Sequence, residues 1–247
     1  MTSRTVKIEE LNVDDIIFTN FEDNMYVESQ RVSQIYYQEE GDLLNIQTPE
    51  FYCEAYGIPK ASEFYDSEKS RSFYKLPLAF ERGQYPEINY EAIKTLYDKM
   101  VEIDNHCNTD AFREKMFGKM ASKYEYIPLV RHTEESENNA KYYNPPYMKI
   151  KLHLDNITNK PNFSAFSLKD GNRGKIELNS FEDVLQHFKY MSKHRFVVRF
   201  QKMYAMKTAM GGSTKKKYGI VLKLMCAECA NKPARNLNRN EDLFLDV

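Results

Sequence analysis

The segment from Tyr147 to Leu154 constrains the fold more than any other. Met148, Ile150, Leu152 and Leu154 alternate strictly with Tyr147, Lys149, Lys151 and His153. Successive side chains of an extended backbone point to opposite faces, so this pattern predicts a half-buried strand with one apolar face and one aromatic, basic face. The preceding Asn144-Pro145-Pro146 contains two residues that cannot donate to a ladder, which puts the strand start at about Tyr147. Such a strand needs neighbours on both sides and a core beneath it.

Two long β-rich runs supply the best candidates, Arg195 to Lys207 and Lys217 to Ala227. They are joined by Thr208 to Lys216, which contains Gly211-Gly212-Ser213 ahead of Lys215-Lys216-Lys217, so they read as one long hairpin with a flexible basic tip. In the first arm Phe196, Val198 and Phe200 share a face, opposite Arg195, Val197 and Arg199. In the second arm Tyr218, Ile220, Leu222 and Leu224 share a face, opposite Val221 and Lys223.

Further β-rich runs come earlier, at Asp15 to Thr19, Met25 to Tyr37, Leu43 to Gln47, Phe51 to Ala55 and Phe73 to Phe80, separated by Gly, Pro, Asp and Ser. At Glu91 the period changes. Ile93, Leu96, Tyr97, Met100 and Val101 make the apolar stripe of a helix, and Phe112, Met116, Phe117 and Met120 continue it after a break near Asn105 to Thr109. These stripes are core rather than a cofactor site. Ser180 and Asp183 form a capping box ahead of Phe181, Val184, Leu185 and Phe188, a short helix. Glu134 to Asn139 reads as an exposed acidic loop. The prediction is a mainly β, α+β chain: one domain over residues 1–230 with a helical insertion at about 90–124, then a flexible tail over 231–247.

A chain of 247 residues with 42% hydrophobic and 29% charged residues is long enough for a sizeable core and is neither collagen-like nor wholly disordered. It has no apolar run long enough to span a bilayer, and its first ten residues are too polar for a signal core. Four cysteines are too sparse for a disulfide framework. The expectation is a soluble intracellular protein with reduced thiols and no membrane contact.

Charge is unevenly distributed. Residues 1–140 hold 15 Lys and Arg against 27 Asp and Glu, whereas residues 141–240 hold 20 against 6. A concentrated positive region attracts polyanions even when the whole molecule is near neutral. The alternative is that acidic and basic surfaces face each other within one fold.

Enzymatic motifs do not stand out. Gly211-Gly212-Ser213-Thr214-Lys215 lacks the spacing of a phosphate loop and joins two strands instead of opening a helix. Cys226-Ala227-Glu228-Cys229 has no second ligand pair to complete a zinc site, and on a continuing strand its thiols would face opposite sides. His106-Cys107 lacks an orienting partner. Asp155, Asp170, Glu177, Glu182, Asp183 and Glu228, the acids of the basic region, form no clustered nuclease motif. No catalytic residue, metal or cofactor is expected.

What remains is a set of cations beside aromatics on strand faces. Unpaired nucleic acid needs cations along its phosphates and flat rings on which bases stack. On this reading Lys149, Lys151, Arg195, Arg199, Lys202, Lys207, Lys215, Lys216, Lys217 and Lys223 neutralise phosphates, while Tyr147, Tyr204 and Tyr218 stack bases. Tyr218 shares a face with Ile220, which leaves a core position open to it. The competing reading is that these cations are only a solvated outer face.

Several motifs in order resemble one family. Leu44-Asn45-Ile46-Gln47-Thr48-Pro49 resembles its Ile-Gln-Thr-Pro element, and Ala55-Tyr56-Gly57 the following Pro-Phe-Gly. Phe73 to Phe80 resembles the next apolar-alternating strand. Asn144 to Leu152 resembles a Pro-Pro-x-x-Lys-x-Lys strand, and Tyr218-Gly219-Ile220-Val221-Leu222-Lys223 a closing Phe-Gly-x-x-x-Lys strand. The family is that of the single-stranded-DNA-binding proteins of large nucleocytoplasmic DNA viruses, related in fold to the replicative single-strand-binding proteins of podovirus-type phages. The resemblance spans about residues 25–230.

It implies an OB-fold barrel elaborated with helices, and non-enzymatic, sequence-tolerant binding of single-stranded DNA in viral replication, recombination or repair. Such a protein would work where viral DNA is replicated, in nucleus or cytoplasm, or be packaged in the virion. The chain has no Trp, and Tyr204 stands where the family often has one. The related phage proteins end in a long acidic tail that recruits replication enzymes; here only Glu241, Asp242 and Asp246 surround Phe244. Viral replication proteins at Asp242, Phe244 and Asp246, and a homo-oligomer, are the further partners this implies. The rival function is a virion structural or genome-packaging protein using the same fold for protein contacts.

Overall fold

The strands are more numerous, and on average shorter, than alternation alone predicts. A computed structural model of the chain describes residues 2–81, 83, 85–133, 143–155, 157–169 and 172–230. The acidic loop expected at Glu134 to Asn139 and the tail residues Asp242, Phe244 and Asp246 lie outside the described residues. The first third holds β1 (Thr2–Lys7), β2 (Ile16–Phe18), β3 (Glu22–Asp23), β4 (Gln30–Ser33), β5 (Ile35–Tyr37), β6 (Glu39–Gln47) and β7 (Phe51–Tyr52). Next come α1 (Glu68–Arg71), β8 (Phe73–Pro77), α2 (Tyr90–Cys107) and α3 (Asp110–Phe117). Then follow β9 (Tyr124–Ile127), β10 (Val130–Arg131), β11 (Tyr147–Lys151), β12 (Ser164–Lys169), β13 (Asn172–Ile176) and α4 (Phe181–His187). The long pair β14 (Lys193–Met206) and β15 (Lys216–Ala230) comes last.

All fifteen strands belong to one hydrogen-bonded sheet, with the order β10-β11-β15-β14-β6-β5-β2 along its main path. The fold is mainly β with helices, as the sequence predicts. Among the described residues that path is open, because no pairing joins β10 to β2. β15 is its spine. It pairs antiparallel with β14 along one edge, and on the other edge it takes three parallel partners in turn: β9, β11 and β12.

The inner face of this hairpin carries the core. Phe196, Val198, Phe200, Leu222 and Leu224 are each 1% exposed or less. Each fully buried side chain of this size contributes roughly 1.5–3 kcal/mol of burial free energy, so Phe200→Ala should cost about 3–5 kcal/mol. Two bulges interrupt the pairing, between Val197 and Val198 and between Phe200 and Lys202. The second decides what faces outward. Strict alternation from Phe200 would turn Lys202 and Tyr204 into the core; the extra residue at Gln201 restores them to the face of Arg199, while Met203 and Ala205 are buried instead.

The helical insertion falls where the period change predicts it. Asn89 caps α2 by accepting from the Ala92 N–H at 3.1 Å, and Ile93, Leu96, Met100, Ile103 and Cys107 form its buried stripe. Thr109 caps α3, accepting from the Phe112 N–H, and Gly118 ends it with φ 54°, a conformation that costs a residue with a Cβ. The Ser180–Asp183 capping box of α4 is formed reciprocally. The run expected from Met25 to Tyr37 divides: Met25 and Tyr26 sit in an exposed turn, and β4 and β5 follow.

Candidate nucleic-acid interface

The outer face of the sheet carries a row of cations set by strand register. Phe73 of β8 pairs with Lys151 of β11, Lys151 with Lys223 of β15, Lys223 with Arg199 of β14, and Arg199 with Asn45 of β6. Three cations on three adjacent strands therefore lie side by side. Arg199 donates from Nε to Asn45 Oδ1 at 2.9 Å, which orients its guanidinium without neutralising it. A second pair, Lys75 of β8 and Lys149 of β11, is opposed in the neighbouring register. Among the described residues none of Lys75, Lys149, Lys151, Arg199, Lys202 and Lys223 is ion-paired with a carboxylate.

Crowding shows in the titration of these groups. Lys149 is pushed below the ordinary lysine range by burial of its ammonium, then by the charges of Arg131 and Lys75. Lys223 is lowered by burial and then by Arg199 and Lys151, and Lys202 by burial and then by Lys151. Like charges directly opposed across strands destabilise a sheet, so the row is a cost to the fold that a polyanion would relieve.

Aromatic rings hold the cations in place. Lys149 is exposed as a residue, and its Nζ lies 3.8 Å from the centroid of the Phe73 ring. Lys75 Nζ sits 4.9 Å from the Tyr147 ring and 5.7 Å from the Tyr56 ring, and those rings are 4.9 Å apart. Tyr147 thus enters the face as part of a cluster in which two tilted tyrosine rings share the Lys75 ammonium. Tyr56 reaches it because its backbone takes φ 63° and its hydroxyl donates to Pro145 O at 2.9 Å. Gly57, next to it, exchanges backbone hydrogen bonds with Lys75; a Cβ there would lie 2.9 Å from Cys53 Sγ.

Between the end of α1 and this face lies an open cleft of about 290 Å³. Lys69, Phe73, Arg131, Lys149, Lys151 and Tyr204 line it, and no carboxylate does among the described residues. The Tyr204 ring is half-buried over Gly219, where any Cβ would come within 3.5 Å of it. Arg131 is the register partner of Tyr147, and its Nε is buried with no acceptor among the described residues. Asp104 of α2 fixes its strand, accepting from the Leu129 and Val130 N–H groups at 2.7 and 3.0 Å and from the Tyr126 hydroxyl at 2.9 Å. Burial raises the Asp104 carboxyl despite these donors.

Six of the thirteen residues read from the sequence as contacts therefore come together: Lys149, Lys151, Arg199, Lys202, Tyr204 and Lys223. Tyr147 joins at the edge. Tyr218 is a correction. It is fully buried, packs against Phe117 and Tyr126, and donates its hydroxyl to Cys107 O at 2.7 Å, so it cannot stack a base. Burial pushes its hydroxyl up to about 12.

Others are held elsewhere. Arg195 Nε donates to Glu228 at 2.8 Å, and Arg173 grips the other carboxylate oxygen at 2.9 Å. Burial works to raise Glu228, but these two arginines outweigh it and leave the carboxyl below its usual range. Lys207 pairs with Asp23 at 2.9 Å and Lys217 with Glu125 at 2.6 Å. Lys216 lies over the Tyr124 ring, and Lys215 is exposed at the hairpin tip.

Sequence reasoning missed Lys69, Phe73, Lys75 and Arg131. Lys75 had a legible signal, as the one cation in the apolar strand from Phe73. Arg131 had none, since its strand is two residues long. Cys226 and Cys229 do face opposite sides, being paired with Val197 and His194. No three His, Cys, Asp or Glu side chains gather to hold a metal ion among the described residues, and no described helix is long and apolar enough to cross a membrane.

No family model matches the chain. It is similar to an uncharacterized protein of Acanthamoeba polyphaga mimivirus, 22% identical over 227 residues and covering 81% of this chain. The chain spans about half the length of that curated relative, 54%. The similarity associates the chain with a giant-virus protein.

Proposed function

We propose that the chain binds single-stranded DNA without sequence preference and without chemistry of its own. The observation that carries this reading is the row Lys151–Lys223–Arg199, with Lys75, Lys149 and Lys202 beside it, which pairs with no carboxylate among the described residues. An unpaired strand offers one phosphate per nucleotide to such a row and leaves its bases free to meet Tyr204. The same proposal takes the sheet as an opened and elaborated OB barrel, an idea supported by the bulges that bend β14 and β15. The similarity to a giant-virus protein supports a viral origin, and on this proposal the chain serves viral DNA replication, recombination or repair.

The test is fluorescence anisotropy with labelled single strand, duplex and RNA at two salt concentrations. Single-stranded DNA should bind best, with a log–log salt slope near −0.7 per phosphate neutralised. Equal affinity for duplex, or binding that ignores salt, would overturn the proposal.

A second reading, protein contacts within a virion, is favoured by Met25 and Tyr26, 92% and 94% exposed in the turn before β4. A gel shift with oligo-dT separates the two readings, since only the first demands a shifted band.

A further inference from the structure

The row of cations accounts for the open face but not for the cleft beside it. Its volume, about 290 Å³, lies at the lower end of ligand pockets, which run from about 300 to 1,000 Å³. That is room for one nucleotide unit. Its lining is equally specific: four cations, Lys69, Arg131, Lys149 and Lys151, with Phe73 and Tyr204 supplying rings.

Arg131 is the informative residue. A buried donor without an acceptor costs free energy and calls for an explanation. Lys75 and Lys149 are both lowered, by burial first and then by the charge of Arg131, so the cations that share its face repel it. Among the described residues the acid that interacts with Arg131 is Asp104, which already accepts three hydrogen bonds. A guanidinium held this way is prepared for a ligand that brings its own acceptors in a plane, as a phosphate does.

We propose that the cleft is a nucleoside-monophosphate pocket, in which Arg131 and Lys149 take the phosphate and Tyr204 meets the base. The proposal deepens the single-strand reading and rests on it. One nucleotide of a bound strand leaves the open row and enters the cleft, so Arg131 contributes an anchor that the surface lysines lack. Because the pocket is complete in itself, a free nucleotide should occupy it.

The experiment is isothermal titration of the whole chain with dTMP, thymidine and inorganic phosphate, in the wild type and in the Arg131→Gln and Lys149→Gln variants, with oligo-dT affinity measured alongside. The expected result is dTMP binding at least about tenfold tighter than phosphate or thymidine, with Arg131→Gln removing at least about tenfold of it, as loss of a charge-assisted fork predicts. Lys149→Gln, on the exposed edge, should weaken dTMP severalfold and serves if Arg131→Gln does not fold. Oligo-dT binding with dTMP no tighter than phosphate, or with dTMP indifferent to both variants, overturns the pocket and leaves the single-strand reading intact. An Arg131-dependent dTMP signal without oligo-dT binding overturns the single-strand reading and keeps the pocket.

Discussion

Lys151 and Lys223 are register partners on two parallel neighbouring strands, with Arg199 opposed to Lys223 on the next. Each cation lies one strand spacing from the next, about 4.8 Å, with no anion between them. This packing favours an external polyanion over internal pairing.

Lys223→Gln should therefore separate binding from stability. If Lys223 meets one phosphate, the variant loses roughly 0.7 from the salt slope and about five- to tenfold in affinity for oligo-dT. Its thermal midpoint should not fall, because a like-charge contact is relieved. Anisotropy and calorimetry on the same preparation check both. A large drop in midpoint would show the lysine to be structural.

Tyr204 and Tyr218 make a matched pair of tests. Tyr204→Ala should weaken oligo-dT binding by about 1–3 kcal/mol, the worth of one stacked base, while Tyr204→Phe should keep most of it. Tyr218→Phe removes the hydrogen bond to Cys107 O and the hydroxyl's interaction with Arg113, so it should lower stability by about 0.5–1.5 kcal/mol and leave affinity unchanged. Reversed behaviour would exchange their roles.

His194 predicts an acid-sensitive fold. It is caged by Phe51, Tyr74, Phe188 and Phe196, neither ring nitrogen has a partner, and burial lowers it from 6.5 to about 3. The folded state resists the proton that the unfolded chain accepts, so stability is full above pH 6.5 and falls as pH drops toward 3. At pH 5 the loss should be about 2 kcal/mol. His194→Leu should flatten the midpoint between pH 7 and pH 5. A small slope should remain from His153, lowered by burial and then by Lys223 and Lys151. Glu228, held low by its arginines, acts in the same direction but only below the ordinary carboxylate range.

Asp104→Asn tests the link between α2 and the cleft. Asparagine has one acceptor oxygen where the carboxylate uses two, so the N–H of Leu129 or Val130 is left unsatisfied at a cost of about 1–3 kcal/mol. Hydrogen exchange at those two amides should accelerate in the variant. Unchanged protection would mean that β10 is held by its sheet partners alone.

Local rules carried the sequence far where the deciding contacts were local. The alternation of β11, the capping box at Ser180 and the stripe of α2 are read from neighbours within a turn or a strand, and the structure has them where the pattern puts them. Lys202 and Tyr204 owe their outward position to a bulge that no residue type at Gln201 announces. β13 went unseen because Asn172 to Lys175 are exposed, leaving no apolar period to detect. The ion pairs of Lys207 with Asp23 and Lys217 with Glu125 join residues distant in the chain, so the cations they remove from the free set could not be told from the rest.

The three parallel partners of β15 have a consequence for biosynthesis. β9, β11 and β12 leave the ribosome well before the strand on which they dock, so their edges must wait for residues 216–230. The positive face is assembled only when that strand arrives. A nascent chain whose synthesis has not passed residue 230 accordingly lacks the surface with which it could seize ribosomal and messenger RNA.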